Sequence, residues 1–241
     1  MGEGPLGIRR GEWGDGNEAC RMDKSVCTRQ LCKEGKAPIA PLSPRLVSIM
    51  PTVVVATGNP GKLKEMQTHL AGLGWTLKLK PPELEVEETG ETFLANARLK
   101  ASQVAIATGH WAIADDSGLA VEALNGSPGV YSARYGKSDE ERIKRVLTEL
   151  GNTPSRQAQF VCAITLARPD GAIALETEGI CRGEILRAPR GTGGFGYDPI
   201  FYAPEQGKTF AEMTPLQKQR YSHRGLAFQQ LTPEFRSLAL E

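Results

Sequence analysis

The chain has 241 residues, of which 40% are hydrophobic and 24% are charged, and its formal net charge at pH 7 is +1. This balance is ordinary for a globular protein and supplies no basic field, so we expect no nucleic-acid polymer as a partner. No run of about 18 apolar residues occurs, so we also expect no transmembrane helix and no membrane partner.

Residues 1–49 differ in composition from the rest of the chain. They contain seven glycines, scattered charges, no apolar period and three prolines near their end. We therefore predict a flexible N-terminal extension over residues 1–49 and a folded domain over residues 50–241. The extension has no apolar segment with a cleavage site, as a secretory signal needs, and its acidic residues argue against a transit peptide. Met50 stands directly before the first predicted strand, which suggests that translation begins there.

The five cysteines favour a reduced, cytoplasmic protein. Cys20, Cys27 and Cys32 lie in the extension without CxxC spacing or a nearby histidine, which makes a weak zinc case. An odd total argues against a disulfide framework. Cys162 and Cys181 lie in apolar, strand-like segments, where we expect small core residues.

The first strand of the predicted domain is followed by a candidate anion site. Val53 to Ala56 are typical of a buried strand, Asn59 is a candidate N-cap, and a helix is predicted from Pro60 to about Leu70. Free backbone N–H groups, the helix dipole and Lys62 together favour a phosphate. The spacing is not that of a Walker A loop, and a capped helix with a solvated lysine is the plain alternative. The candidate ligand-binding residues here are Thr57, Gly58, Asn59, Pro60, Gly61 and Lys62.

A second strand is predicted at 75–79, and an acidic stretch then leads into a helix over about 92–108. On this helix Asn96 and Lys100 lie one turn apart and could reach a ligand together. Composition alone does not single out which glutamate of the acidic stretch matters.

The segment Ile113-Ala114-Asp115-Asp116-Ser117-Gly118-Leu119 is the candidate centre of the chemistry. A buried strand is predicted to end in two carboxylates, with Gly118 permitting a turn that aims both into one cleft. Carboxylates at the end of a strand suit Mg²⁺ binding and general-base catalysis. A polar turn without function is an equally good interpretation of this segment alone. A further short strand is predicted over 119–124.

The middle of the chain carries one aromatic cluster, one predicted helix and a predicted hairpin. Tyr131 to Gly136 places an arginine between two tyrosines, which suits either a ligand or a subunit contact. Ser138 to Glu141 is predicted to form a capping box that opens a helix ending before Gly151. Strands over 159–167 and 173–181 are predicted to form a hairpin, and 184–186 to continue the sheet.

The last third carries a glycine-rich loop and two helix starts. Over 190–199 four glycines flank an aromatic pair, so the backbone can approach a ligand while Phe195 or Tyr197 stacks on a base. Thr214-Pro215 is predicted to start a helix that carries Lys218, and Ser222 to cap the last helix. His223 and Arg224 lie in its first turn, a pattern also typical of an ordinary surface helix. Thr232-Pro233 is predicted to break or restart this helix.

Six motifs in this order resemble the inosine triphosphate pyrophosphatase family, and its bacterial non-standard purine NTP pyrophosphatases look closest. The resemblance spans about residues 52–231. The motifs are Thr57-Gly58-Asn59-Pro60-Gly61-Lys62, Glu88-Thr89-Gly90-Glu91-Thr92-Phe93 with Asn96-Ala97, Ala114-Asp115-Asp116-Ser117-Gly118-Leu119, Pro128-Gly129-Val130-Tyr131-Ser132-Ala133-Arg134, Gly193-Gly194-Phe195-Gly196-Tyr197-Asp198-Pro199 and Ser222-His223-Arg224.

The resemblance implies an α/β fold of two lobes around a long mixed β-sheet with flanking helices, and an active cleft between the lobes. It implies hydrolysis of (d)ITP and XTP to the monophosphate and pyrophosphate, with Mg²⁺, in a homodimer. Glu88 and Asp116 would bind the metal, Asp116 would accept the proton, and 57–62 would hold the triphosphate. The implied substrate contacts are Ser117, Phe195, Gly196, Tyr197, Asp198, Lys218, His223 and Arg224.

Two alternatives are open from the sequence. One is a Maf-like nucleotide pyrophosphatase, with a related fold and a different base choice. The other is a nucleotide-sensing module that binds without hydrolysis.

Overall fold

The computed structural model describes residues 51–238, so the predicted extension over 1–49 lies outside the described residues. The strands form a mixed seven-stranded sheet in the order β2-β1-β3-β4-β5-β6-β7. Within the described range, no helix combines the length and the apolar character needed to cross a membrane. The strands are β1 (Thr52–Val55), β2 (Thr76–Leu79), β3 (Trp111–Val121), β4 (Gln157–Ala167), β5 (Ile173–Ile185), β6 (Phe201–Ala203) and β7 (Lys208–Thr209). The helices are α1 (Pro60–Leu70), α2 (Phe93–Thr108), α3 (Asp139–Leu150), α4 (Pro215–Tyr221) and α5 (His223–Leu238).

The sheet changes from parallel to antiparallel pairing at β3. β1 pairs in parallel with β2 and with β3, and these strands are connected through α1 and α2. From β3 onward every pairing is antiparallel. The β4–β5 hairpin turns at Pro169-Asp170-Gly171, as predicted, with Gly171 at φ 87°. The expected mixed α/β sheet is confirmed.

Both faces of β1 are buried, which explains its unbroken apolar sequence. Val53 and Val55 pack with α1 and α5 on one face, in a cluster that includes Phe228. Val54 and Ala56 pack against α2 on the other face. Neighbouring strand residues therefore belong to different packed layers, since their side chains alternate between the two faces.

A separate apolar cluster fills the far end of the sheet, where α3 and β6 pack together. β3 contributes to both ends, because Ile113 belongs to the cluster of α1 and α5 while Leu119 and Val121 belong to the far cluster. Asp115 and Asp116 lie between these residues in the strand. The polar segment of β3 is thus placed between two packed regions.

The predicted turn after the two aspartates is wrong. β3 runs without a break through both carboxylates, and its pairing with β4 extends from Ala112↔Ala167 to Val121↔Ala158. Gly118 serves packing rather than a turn, because a Cβ there would collide with the Ser132 hydroxyl and with the ring of Phe93. The separate strand predicted over 119–124 is the end of β3, followed by a 3-10 turn at Glu122–Leu124.

Other local predictions are corrected in detail. Helix α5 continues through Pro233, although proline has no N–H to donate to the helix. Leu231 and Phe235 on either side are buried in the core and stabilise the helix there. At α3, Ser138 caps the Glu141 N–H as predicted, but the Glu141 carboxylate accepts from the Lys137 N–H, so the capping box is incomplete. The strands predicted before and after 181 are one continuous strand, β5.

The two described cysteines differ in burial. Cys162 is fully buried in the cluster of α1 and α5, as expected of a small core residue. Burial raises its thiol pKa to about 12, so the thiol stays protonated. Cys181 is only partly buried at the edge of the far cluster, so the core prediction holds in part for this residue.

Candidate active site

The loop between β1 and α1 forms a capped helix start. Pro60 occupies the first helical position, and the Asn59 side chain accepts the N–H groups of Gly61 at 2.9 Å and Lys62 at 3.1 Å. The Thr57 hydroxyl in turn accepts the Asn59 N–H at 3.2 Å. Free N–H groups are expected here from the sequence, but the cap already pairs two of them. The positive end of the helix and the Lys62 ammonium therefore carry the attraction for an anion.

Asp115 lies at the centre of a buried ion-pair network on the α1 and α5 face. It is 1% exposed, and its Oδ2 lies 3.3 Å from Lys62 Nζ and 2.7 Å from Arg224 Nη2. Arg224 also donates to the Ser117 hydroxyl at 2.9 Å. Burial opposes ionisation, but the two cations prevail and hold the pKa of Asp115 far below its usual range. Asp115 therefore stays charged and orients Lys62 and Arg224.

Asp116 faces the opposite side of the sheet, against α2. Its Oδ2 accepts the Asn96 side-chain amide at 3.2 Å, and its Oδ1 lies 3.2 Å from Lys100 Nζ. Burial raises the pKa of Asp116, and Lys100 and Lys62 offset part of that rise. A carboxyl with a raised pKa, close to a cavity, is suited to accept a proton.

Glu88 meets Asp116 at the same ammonium group. Glu88 Oε1 lies 2.7 Å from Lys100 Nζ, and Glu88 Oε2 lies 2.8 Å from Arg134 Nη2. Burial opposes ionisation of Glu88, but Lys100, Lys62 and Arg134 together outweigh it and lower the glutamate pKa. The acidic stretch thus brings one glutamate, Glu88, close to the Asp116 carboxylate. Its composition alone did not indicate which glutamate this would be.

These two carboxylates fit a magnesium ion. Both carboxylates contact the Lys100 ammonium, at 2.7 Å and 3.2 Å, so their oxygens face the same position beside α2. Mg²⁺ prefers hard oxygen ligands of this kind. Among residues 51–238, no three His, Cys, Asp or Glu side chains cluster as a complete metal cage. Mg²⁺ commonly uses one or two carboxylates together with substrate phosphates, so two carboxylates are sufficient.

The glycine-rich loop is held by Asp198. The Asp198 carboxylate is 2% exposed, accepts the Phe195 N–H at 2.8 Å and pairs with Lys218 Nζ. A Cβ at Gly194 would collide with this carboxylate, and Gly194 has φ 75°. Glycine is therefore required by close approach and by backbone conformation together. Burial raises the pKa of Asp198, and the Lys218 cation offsets part of the rise.

The two aromatic residues of this loop have different surroundings. The Tyr197 ring is 4% exposed and belongs to the far cluster, and its hydroxyl donates to the Ser132 carbonyl at 2.9 Å. Phe195 is half-buried, and its ring lies 4.4 Å from Lys218 Nζ. Phe195 is thus the better placed of the two to offer a stacking face, while Tyr197 anchors the loop.

His223 and Arg224 are buried, which excludes the plain surface-helix interpretation. They are 4% and 1% exposed. The imidazole stacks with Phe160 at 4.6 Å and with Phe210 at 5.9 Å between ring centroids. Burial, reinforced by Arg224 and Lys218, lowers the pKa of His223 well below its usual value. A neutral imidazole therefore faces the site.

Glu65 of α1 connects Lys218 and Arg224. Its Oε1 lies 2.8 Å from Lys218 Nζ, and its Oε2 accepts from Arg224 Nη1. Burial opposes ionisation, but the two cations lower the pKa of Glu65. Glu65 was not among the predicted site residues, because a glutamate one turn into an amphipathic helix is typical of a solvated charge.

Two neighbouring cavities bring the predicted residues together. The first, of about 300 Å³, is lined by residues 59–62 and 195–198, by Ser117, by Lys218, and by His223 and Arg224. The second, of about 340 Å³, is lined by Thr57, Gly58, Asn59, Lys62 and Glu88, and by Lys100 beside Asp116. Asn59 and Lys62 border both cavities. The first also includes Ser132 of the fourth motif, together with Phe160 and Arg142, which carried no distinctive sequence signal.

Comparisons with known proteins identify a family match and similar sequences. Residues 53–234 match the Ham1 family. A dITP/XTP pyrophosphatase of Nostoc sp. is 68% identical over 186 residues, covering 77% of this chain and 95% of the relative. That of Synechocystis sp. is 62% identical over 192 residues, covering 80% and 99%.

Solved structures extend the likeness to the fold. A HAM1 protein from Coxiella burnetii has 44% identity and a TM-score of 0.72, covering 78% of this chain and 100% of that one. The Ham1 protein of Staphylococcus aureus has 42% identity and a TM-score of 0.70, covering 78% and 99%.

Proposed function

Because this chain belongs to the Ham1 family, we propose that it hydrolyses dITP, ITP and XTP to the monophosphate and pyrophosphate, removing deaminated purines from the nucleotide pool. The chain is a nucleoside-triphosphate pyrophosphatase. The main observation behind this conclusion is that two cavities meet at Lys62, one lined by aromatic residues and the other by carboxylates. The family match favours this function over the Maf-like alternative.

The two cavities divide the substrate between them. The purine would occupy the first cavity, with Phe195 as its stacking face. The triphosphate would occupy the second, where Lys62 and the start of α1 attract its charge. Lys62 borders both cavities, so it would contact the phosphates closest to the nucleoside.

Glu88 and Asp116 would hold Mg²⁺ together with oxygens of the triphosphate. When bound, the metal would neutralise the triphosphate and orient it. Lys100 contacts both carboxylates and would stay beside them as a further positive charge. The convergence of the two carboxylates on one cation supports this assignment.

Asp116 would act as the proton acceptor. It takes a proton from water as the water oxygen bonds to the α-phosphorus, the bond between that phosphorus and the bridging oxygen breaks, and pyrophosphate leaves. Lys62 stabilises the charge that develops on the leaving group. The position of Asp116 supports this role, because its Oδ1 lies on the side of Lys100, which lines the second cavity.

Base selection would come from polar groups that a wrong purine leaves unpaired. The Lys218 ammonium can donate to a 6-keto oxygen but not to a 6-amino group, which would reject adenine, whereas guanine would be rejected at its 2-amino group. The neutral His223 and the ion-paired Arg224 complete the polar side of the first cavity, together with backbone near Phe195 to Asp198. A buried site with unpaired groups can discriminate strongly.

The proposal includes a homodimer, a cytoplasmic location and a domain over residues 50–241. The dimer rests on the family resemblance of the sequence. The cytoplasmic location is supported by the free thiols of Cys162 and Cys181. The domain boundary is supported by a family match that starts at residue 53.

A substrate panel tests the function. Pyrophosphate and phosphate release would be measured with ITP, dITP, XTP, dUTP and GTP in Mg²⁺ and again in excess EDTA. We expect pyrophosphate from ITP, dITP and XTP, little from GTP, and loss of activity in EDTA. Preference for dUTP would favour the Maf-like alternative, whereas binding without release would favour a sensing module.

A further inference from the structure

Asn96 is a fully buried polar residue that the proposed mechanism has not used. It lies in the first turn of α2, is 0% exposed, and faces the Asp116 carboxylate. Its side-chain Oδ1 accepts the Gly90 N–H at 2.8 Å, and its Nδ2 donates to Asp116 Oδ2 at 3.2 Å. The amide is therefore paired at both ends.

The Gly90 bond fixes which end of the amide faces Asp116. A backbone N–H can only donate, so it requires the oxygen of the Asn96 amide, and the NH₂ group must then point toward the carboxylate. A Cβ at Gly90 would lie 2.8 Å from Asn96 Oδ1 and 2.8 Å from the Ala95 Cβ. Only glycine allows this close approach. The Thr92 hydroxyl accepts the Ala95 N–H at 3.1 Å and fixes the start of α2 beside it.

We propose that Asn96 is a positioning residue for Asp116, an inference that rests on the proposed function. By donating to Oδ2, the amide occupies one carboxylate oxygen and fixes the rotation of the side chain. The other oxygen, Oδ1, is then held on the side of Lys100 and the second cavity. Asn96 acts on the reaction only through Asp116.

Residue type explains why an asparagine is needed. Aspartate at this position keeps the shape and can still accept the Gly90 N–H, but it places an acceptor against Asp116 Oδ2. The carboxylate of Asp116 would then turn away from its neighbour. The substitution Asn96→Asp thus removes the amide donor with almost no change in volume, but it also adds a buried charge beside Asp116. Gly90→Ala adds no charge and therefore separates the loss of the donor from the effect of that charge.

The test compares Asn96→Asp, Gly90→Ala and Thr165→Val with the wild-type chain, using ITP at saturating Mg²⁺. Gly90→Ala displaces the amide without touching Asp116. Thr165 is a buried residue that pairs across the sheet with Ala114, on the same face as Asp116, so Thr165→Val controls for buried substitution. Thermal unfolding of each variant reports folding.

We expect kcat to fall about 10- to 100-fold in Asn96→Asp, as loss of a hydrogen bond to a charged group predicts, with KM within about threefold of wild type. Gly90→Ala should lower kcat by about three- to tenfold with the same unchanged KM. Thr165→Val should keep wild-type kcat. A merely structural role would lower the unfolding temperature without this separation of kcat from KM.

The inference is overturned if both Asn96→Asp and Gly90→Ala keep wild-type kcat, or if they raise KM alone. Failure of the proposed function looks different. In that case the wild-type chain releases no pyrophosphate from ITP or XTP, which overturns the function and the inference together.

Discussion

Asp115 and Asp116 are adjacent in β3, and their carboxylates contact opposite faces of the sheet. Asp115 pairs with Lys62 and Arg224, whereas Asp116 contacts Asn96 and Lys100. An unbroken strand forces this separation, because consecutive side chains alternate between faces. The same substitution at the two positions should therefore have different consequences.

Asp116→Asn should remove most of the activity and leave the fold intact. The amide keeps the shape of the carboxylate but cannot accept a proton from water. We expect kcat for ITP to fall at least about 100-fold, the usual scale for general-base loss, with a nearly unchanged unfolding temperature. Steady-state kinetics and thermal unfolding measure both, and a near-normal rate would discard the proton-acceptor role.

Asp115→Asn should instead destabilise the protein. It leaves Lys62 and the fully buried Arg224 without their shared anion, and breaking a buried ion pair from one side costs about 3–5 kcal/mol. Chemical denaturation measures the loss in free energy of unfolding. Glu176→Gln is the control, because it breaks the exposed Arg98–Glu176 pair and should cost less than about 1 kcal/mol. Equal losses in the two variants would contradict the network described for Asp115.

Lys62→Met should weaken binding of the triphosphate. Lys62 borders both cavities, so its loss should raise KM for ITP by about tenfold, the scale of one charge-assisted hydrogen bond. It should also lower kcat, because Lys62 stabilises the leaving group. Binding of the monophosphate product should change less, because it keeps the α-phosphate but lacks the β-phosphate that Lys62 would also contact. Lys64→Met is the matched control, since Lys64 is exposed on the same helix. An unchanged KM in Lys62→Met would argue against the placement of the triphosphate.

His69 should make the folded state less stable in mild acid. Its ring stacks on Phe228 at 4.5 Å, and burial lowers its pKa to about 4. Below about pH 6.5 the unfolded chain binds a proton that the folded chain excludes, so stability is full above that pH and falls as the pH drops toward 4. When the pH falls from 7 to 5, the free energy of unfolding should decrease by about 1–2 kcal/mol less in His69→Gln than in wild type.

Denaturation curves at the two pH values measure this difference. His110→Gln, in the turn between α2 and β3, is the matched control and should follow the wild type. His223 adds a similar dependence that both variants retain. If His69→Gln and wild type lost equal stability, the stacked imidazole would not be the cause.

Features fixed by neighbouring residues were predicted well from the sequence. Asn59-Pro60 starts α1 where expected, because a side-chain cap and a proline at the first position act within one turn. The glycines of 190–199 correctly indicated close backbone approach, as Gly194 shows against Asp198. The predicted break of the last helix at Pro233 was wrong, because the burial of the neighbouring residues outweighs the local preference of proline for a break.

The amino-acid sequence alone indicated most elements, the motifs and the residue types that suit a triphosphate, a metal and a purine. The packed fold was needed to establish that Glu88 meets Asp116, that Glu65 joins Lys218 to Arg224, and that the two aspartates face apart. Each of these outcomes depends on sheet register and helix packing, which bring together side chains far apart in the chain. Local sequence constrains a residue's immediate neighbours, whereas the partner of a buried charge is chosen by the packed fold.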